Sequence, residues 1–306
     1  MVNIKKENLK TLLILINYKK CLNYQALFCL IVDYFLRVLY NKYMKYVLVI
    51  GALGGMGSIA TSEYLKNGYG VIALDYKECE SKENLIYIKT DITDENSVKN
   101  ALEKVKNITS ELLAIVHFAG VYMLNSLVEM ESSDFEKIFK VNLFGVYLVN
   151  KTFASLLGKG SKIIITTSEL APLDPLPFTG IYAISKKALD SYAYSLKMEL
   201  QLLDISVSVL RAGAVDTGMI DASITALDNF TNNTKIYKCN ATRFKNIVER
   251  VEARKIKPIK IATKTLKILK AKKPKFVYKI NRNPLLLLLN AMPKSFQFFV
   301  IKKILK

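Results

Sequence analysis

Histidine is all but missing from this sequence: His117 is the single one in 306 residues, and tryptophan is absent. A zinc site built on paired histidines is therefore excluded, and a histidine-based triad has one residue to draw on. Cysteine is scarce as well. Cys21, Cys29, Cys79 and Cys239 form no C-x-x-C pair and no dense framework, which excludes a disulfide scaffold and fits a reducing compartment. Long apolar runs are lacking. The stretches 11–16 and 26–32 fall short of the roughly 18 uninterrupted apolar residues of a spanning helix, and Asp33 and Arg37 interrupt the second one's continuation. No small-residue cleavage site comes after it, so a secretory signal is a poor fit.

Acidic residues are missing from one end. Residues 235–306 carry 21 basic side chains and only 2 acidic ones, Glu249 and Glu252, against 7 and 2 in residues 1–43 and 17 and 22 in residues 44–234. A mildly acidic globular stretch thus precedes a strongly basic tail, which could meet nucleic acid, an anionic membrane or nothing at all. What is present is core-forming: 51% apolar and 10% aromatic residues against 23% charged. That composition excludes disorder or a fibrous repeat, and the length allows one or two domains.

The first 43 residues are rich in Lys, Asn and Leu. They read as an interfacial anchor, a helix packed on the domain, or a translated segment upstream of a start at Met44. No chemistry is expected of them. From Tyr46 onward, short apolar runs at 46–50, 70–75, 85–89, 112–118, 162–167 and 205–210 read as buried strands. Between them, 57–67, 94–105, 134–157 and 181–203 read as helices. Asp94, three residues before Ser97, and Asp134, ahead of an apolar-periodic run, read as helix starts. This alternation predicts an α/β fold, a doubly wound parallel sheet of the Rossmann type covered on both faces. The expected organisation is an N-terminal extension (1–43), a catalytic domain (44–254) and a basic, amphipathic, helical C-terminal extension (255–306).

The first strand runs into Gly51-Ala52-Leu53-Gly54-Gly55-Met56-Gly57 and then a helix. Glycines there let the backbone turn tightly and approach a pyrophosphate, whose charge suits the helix N-terminus. Asp75 ends the second strand, where a carboxylate hydrogen-bonds both hydroxyls of an adenosine ribose and repels a 2′-phosphate. No Arg or Lys stands in the Gly-rich turn, so NAD(H) is favoured, while Lys77 leaves NADP(H) open. Tyr182 and Lys186 stand four residues apart in a helical pattern, which places phenol and ammonium on one face. A neighbouring ammonium favours the phenolate and is expected to lower the Tyr182 pKa towards working pH.

Together these motifs resemble the classical short-chain dehydrogenase/reductases, in order and spacing, from Met44 to Ile220. The resemblance assigns Gly51, Gly55 and Gly57 to the glycine pattern and Asp91 and Ile92, in Asp91-Ile92-Thr93, to an adenine-binding turn. Ala119 and Gly120 then approach the cofactor closely, while Val215 and Thr217 meet the nicotinamide amide. Met56 lies within the glycine turn and is expected among the cofactor contacts. By the same resemblance Asn142, Ser168, Tyr182 and Lys186 are the catalytic set. Tyr182 exchanges the proton, Lys186 holds the nicotinamide ribose, Ser168 hydrogen-bonds the substrate oxygen, and Asn142 holds a water that links Lys186 to solvent. No metal is implied. Three positions depart from the family pattern: Ile50 where a threonine is usual, His117-Phe118 where two asparagines are common, and Ala212 where a proline is. The second is expected to weaken hydrogen bonding at the sheet centre, and His117 reads as a buried strand-end residue.

The expected activity is interconversion of a secondary alcohol and a carbonyl on a small apolar substrate of lipid or steroid character. The loop 170–178 would line its pocket, and a mobile segment from Met219 to about Lys245 would form its lid. Asp174 reads as a substrate contact or a turn cap. The alternatives are a catalytically silent nucleotide-binding regulator on the same fold, or a peripheral membrane protein in which the tail matters most. The tail reads either as interfacial, with lysines flanking apolar helices, or as helices covering the pocket or a dimer contact. No nucleic-acid module accompanies the charge. The resemblance implies a dimer or tetramer, and the setting expected is cytoplasmic, with a peripheral membrane location through the tail left open.

Overall fold

The computed structural model describes residues 44–252 and 254–306; the three readings of residues 1–43 lie outside the described residues. The chain runs β1 (Tyr46–Ile50), α1 (Gly55–Lys66), β2 (Gly70–Asp75), β3 (Leu85–Lys89), α2 (Glu95–Lys106), β4 (Leu112–His117), α3 (Ser132–Phe139), α4 (Gly145–Phe153) and β5 (Leu157–Ser168). It continues with α5 (Gly180–Leu200), β6 (Ser206–Ala212), α6 (Gly218–Asn233), α7 (Lys238–Glu252), α8 (Ile259–Lys270), β7 (Val277–Ile280), α9 (Pro284–Ala291) and α10 (Lys294–Leu305). Every strand pairs in parallel, in the order β3-β2-β1-β4-β5-β6-β7. After two strands laid outward from β1, the chain returns to place β4 on the other side of β1. The ends of β1 and β4 therefore bound the crevice where the strand order reverses.

Strands β1 and β2 are buried along their whole length, as the near-continuous Val, Ile and Leu of a sheet covered on both faces requires. Asp94 caps α2 by accepting from the Asn96 amide at 2.9 Å. Asp134 differs from its reading: it lies inside the first turn of α3, where a carboxylate also suits the helix dipole. Between α3 and α4 the helix is continuous through one wide turn, Lys140–Phe144, of π type.

The stretch 255–306 departs most from expectation, because part of it belongs to the sheet. β7 pairs with the far side of β6, Val209 opposite Val277 and Ala212 opposite Ile280. The apolar stripe of α8, namely Ile261, Ala262, Ile268 and Leu269, is buried in the central cluster with Val47, Val71 and Ala114. Its Thr265 accepts from the Tyr64 hydroxyl of α1 at 2.7 Å, and both residues are fully buried. Lys260, Lys267 and Lys270 stay on the exposed side. Each buried Ile or Leu of α8 contributes about 1.5–3 kcal/mol, so α8 is a wall of the fold. β7 escapes a pattern search because it is only four residues long and carries an edge-strand lysine, Lys279.

The segment 219–245, expected as a mobile lid, is made of α6 and α7. Their Leu227, Phe230, Ala241 and Phe244 pack with Phe178 and Leu305 into a cluster of their own. Among the described residues no helix is long and apolar enough to cross a membrane.

Candidate active site

The crevice beyond β1 and β4 is a cleft of about 950 Å³. Gly51, Gly55, Met56, Gly57, Asp75, Asp91, Ile92, Ala119, Gly120 and Thr217 all line it. Gly51 has φ +75°, a conformation that favours glycine, and a Cβ there would lie 2.7 Å from the Ala119 nitrogen. A Cβ on Gly57 would stand 2.1 Å from the Gly51 oxygen, and one on Gly55 would stand 2.7 Å from Thr217. The turn is thus folded so tightly that no Cβ fits at these three glycines. It delivers the uncapped N-terminus of α1 to the cleft, since Gly54 makes no side-chain cap. These free amides suit a pyrophosphate.

Asp75 is 7% exposed. Its carboxylate accepts from the Leu53 amide at 2.9 Å and the Lys77 amide at 3.3 Å, clasping the turn from the end of β2. The turn is thereby braced from the neighbouring strand. Asp91 folds back on Thr93, whose amide and hydroxyl both donate to it at 2.8 Å. Val215 stands apart from the others: it is buried in the central cluster and does not line the cleft.

Asn142, on the π turn, is fully buried. Its amide donates to the Val121 carbonyl at 3.0 Å and to the Ser185 hydroxyl at 3.1 Å, while its oxygen accepts from the Val121 amide at 2.8 Å. It thereby fastens the chain after β4 to α5. A side chain on Gly120 would meet Lys186 Nζ at 3.1 Å and Asn142 Oδ1 at 3.2 Å, so both groups converge behind that glycine. Tyr182 and Lys186 are 8% and 4% exposed and Ser168, at the end of β5, is 6% exposed. The Ser168 hydroxyl accepts from the Leu170 amide at 3.1 Å.

Burial dominates the acidities here. It pushes the Tyr182 phenol up to about 12, against the opposing hydrogen bond of Ser168. It pushes the Lys186 ammonium down to about 8. The expectation that Lys186 lowers the Tyr182 pKa is corrected by this arrangement: Nζ stands 5.8 Å from the ring centroid, and the burial that raises the phenol outweighs it.

Sequence reasoning missed four residues of the site. Tyr122 places its ring 4.8 Å from that of Tyr182 and lines both the cleft and a second cavity of about 600 Å³; nothing in the sequence pattern marks it. Asp190, four residues beyond Lys186 and so legible as a continuation of that helix face, accepts from Arg211 Nη2 at 2.5 Å, Arg211 Nε at 3.1 Å and the Thr167 hydroxyl at 3.2 Å. Glu129 accepts from the Thr234 hydroxyl and from the Lys235 and Ile236 amides, holding the link between α6 and α7. Glu169, beside Ser168, accepts from the Asn283 amide at 2.6 Å.

Two residues that the sequence did mark take structural partners. Asp174, read as a substrate contact or cap, pairs with Lys294, and its amide donates to Asn290 at 2.7 Å. His117 is buried at the end of β4, with Nε2 2.8 Å from Asn150, whose own amide donates to Tyr192 at 3.2 Å. The central sheet is therefore hydrogen-bonded to α4 and α5 through the histidine.

A family model described as short chain dehydrogenase matches residues 45–228. The chain belongs to the short-chain dehydrogenase family. It is an oxidoreductase of CH–OH and carbonyl groups with a nicotinamide cofactor. An NADPH-dependent 1-acyldihydroxyacetone phosphate reductase of Schizosaccharomyces pombe is 28% identical over 56% of this chain, which spans 60% of that protein's length. A 3-ketodihydrosphingosine reductase of Bacteroides thetaiotaomicron is 25% identical over 81% of this chain and 91% of its own length. A short-chain dehydrogenase/reductase of Burkholderia phymatum, solved in complex with NAD, superposes with a TM-score of 0.65 over 76% of this chain and 88% of its own, at 21% identity.

Proposed function

We propose that this dehydrogenase interconverts a secondary alcohol and a carbonyl on an apolar substrate, using Tyr182, Lys186, Ser168 and Asn142, with NADH as the preferred cofactor. The observation that carries the reading is the convergence of Lys186 Nζ and Asn142 behind Gly120, with Tyr182 one turn before Lys186 on α5 and Ser168 at the end of β5. The glycine cradle, with no room for a Cβ at three positions, fits a dinucleotide pyrophosphate. Asp75 fits the ribose diol, its carboxylate already anchored by two amides, and Asp91 and Ile92 stand at the adenine end. When bound, the nicotinamide supplies or accepts the hydride.

The chain's own residues handle the proton and the charge. A phenol raised to about 12 is protonated at neutral pH, so Tyr182 donates its proton to a carbonyl oxygen as that oxygen gains charge. Ser168 holds the same oxygen by a hydrogen bond that strengthens as the charge develops. Lys186 sits behind Gly120, where a ribose would lie. Asn142 has its amide engaged with Val121 and Ser185, and so aligns the turn that carries Gly120. Substrate selection falls to the second cavity, reached past Tyr122, which Met123, Leu124, Met130 and Phe230 line together with Glu131 and Asp134. That mixture suits an apolar carbonyl compound with one polar end.

A homo-oligomer fits the exposed aromatic and apolar residues on the outer faces of α4 and α5, Tyr147, Tyr194 and Met198. The testing experiment is NADH consumption with a panel of aldehydes, ketones and oxo-lipids, with NADPH and Tyr182→Phe alongside. Turnover that prefers NADH and falls by about 10²–10⁴ in the variant is expected. NADPH-only turnover would overturn the Asp75 assignment, and undiminished turnover in Tyr182→Phe would overturn the mechanism.

A further inference from the structure

The two helices that end the chain behave differently from α8. Whereas the apolar stripe of α8 is buried in the core, Leu285, Leu288, Phe296, Phe298 and Phe299 of α9 and α10 are between 48% and 69% exposed. On α10 the buried side is narrow: Gln297 and Leu305 face inward, and Gln297 fastens α10 to α9 through the Asn290 and Met292 carbonyls. The rings of Phe296 and Phe299 neighbour each other on the outer side, with centroids 6.3 Å apart. Lys302, Lys303 and Lys306 are exposed in the next turns. From Arg254 to Lys306 the chain contains sixteen basic residues and no acidic one.

We propose that α9 and α10 form an interfacial docking face for an anionic lipid bilayer. Aromatic rings projecting beside Lys302, Lys303 and Lys306, which pair with no side-chain carboxylate among the described residues, suit a surface that takes rings into its headgroup region and neutralises ammonium groups with phosphate. A second copy is a poorer occupant. A two-fold contact would set the same lysines of each copy against one another.

The face is also wired to the catalytic loop. Asp174, in the loop between Ser168 and α5, pairs with Lys294 and donates from its amide to Asn290. Glu169, next to Ser168, holds the Asn283 amide at the start of α9. A docked enzyme would therefore hold the loop that follows Ser168 close to the phase in which an apolar substrate dissolves. This last step rests on the proposed oxidoreductase reading; the docking itself does not.

Sedimentation of the full chain with vesicles tests it without any substrate. Strong binding is expected to vesicles of equal parts phosphatidylcholine and phosphatidylglycerol, and little to phosphatidylcholine alone. Phe296→Ser with Phe299→Ser, and separately Lys302→Glu with Lys303→Glu, should each weaken that binding about tenfold or more. All four residues are at least partly solvent-facing, and a thermal melt by circular dichroism checks that each variant is folded. The charge-reversed pair keeps the test alive should the serine variant fail to fold. Equal binding to neutral vesicles would overturn the proposal, as would binding undiminished in both variants, which would move the contact to another part of the chain. A change of oligomeric state in the phenylalanine variant, read by light scattering, would assign the face to a second copy instead. Loss of turnover alone would leave these readings untouched, so a failed dehydrogenase assay and a failed docking face are told apart.

Discussion

His117 shows how one residue can be both out of pattern and well placed. Burial pushes its imidazole down to about 4, against the opposing hydrogen bond of Asn150. The folded protein thus holds the neutral ring at pH values where the unfolded chain, with a pKa near 6.5, has taken up a proton. Stability from this site is complete above about pH 6.5 and is lost as the pH falls towards 4, by on the order of 3 kcal/mol across that window. His117→Asn, which keeps a partner for Asn150 but does not titrate, should flatten that acid limb in urea-unfolding midpoints measured between pH 4 and 7. An unchanged slope would show that other groups set the acid stability. At this scale much of the site was legible. The Gly-rich turn, Asp75, and the Tyr182–Lys186 spacing are short-range features, and each stands where its spacing implies. The direction of the Tyr182 shift was not legible, because desolvation depends on what packs over the ring, and Tyr122 does so from sixty positions away in the chain.

Helix α5 carries Tyr182, Lys186 and Asp190 at successive four-residue steps, so all three share one face. Asp190 is the element's anchor. Its carboxylate takes both Arg211 nitrogens from β6 and the Thr167 hydroxyl from β5, with only 13% of the aspartate side chain and 17% of the arginine exposed. Sliding the helix along the sheet would break three bonds at once and carry Tyr182 away from Ser168. Asp190→Ala should cost about 3 kcal/mol in chemical denaturation, since it leaves the guanidinium nearly buried without its partner. Replacing the pair together, Asp190→Leu with Arg211→Leu, should recover part of that loss while kcat stays depressed. Equal destabilisation in the two variants would mean that the pair is not acting as a unit.

For the molecule as a whole, residues 255–306 are structural as much as they are basic. Removing them would strip β7 from β6 and expose the Tyr64 side of α1, the Ile261 stripe's partners and the clasp on Glu169 together. A chain ending at residue 254 is therefore expected to lose its cooperative thermal transition by circular dichroism. A sharp transition near that of the full chain would show that the tail is an appendage after all. For the same reason the vesicle experiment rests on point variants.

Periodicity and motif order carry the parallel α/β architecture, the crevice at the ends of β1 and β4, and the residues gathered around it. Each depends on neighbours within a turn or a strand, and the backbone imposes those spacings wherever the segment sits. Burial and partner choice are different in kind. The sequence shows α8 and α10 alike as basic amphipathic stretches, yet one buries its apolar stripe against α1 and the other turns its phenylalanines outward. That outcome depends on which surface the returning chain finds uncovered, and so does the direction in which Tyr182 and Lys186 titrate.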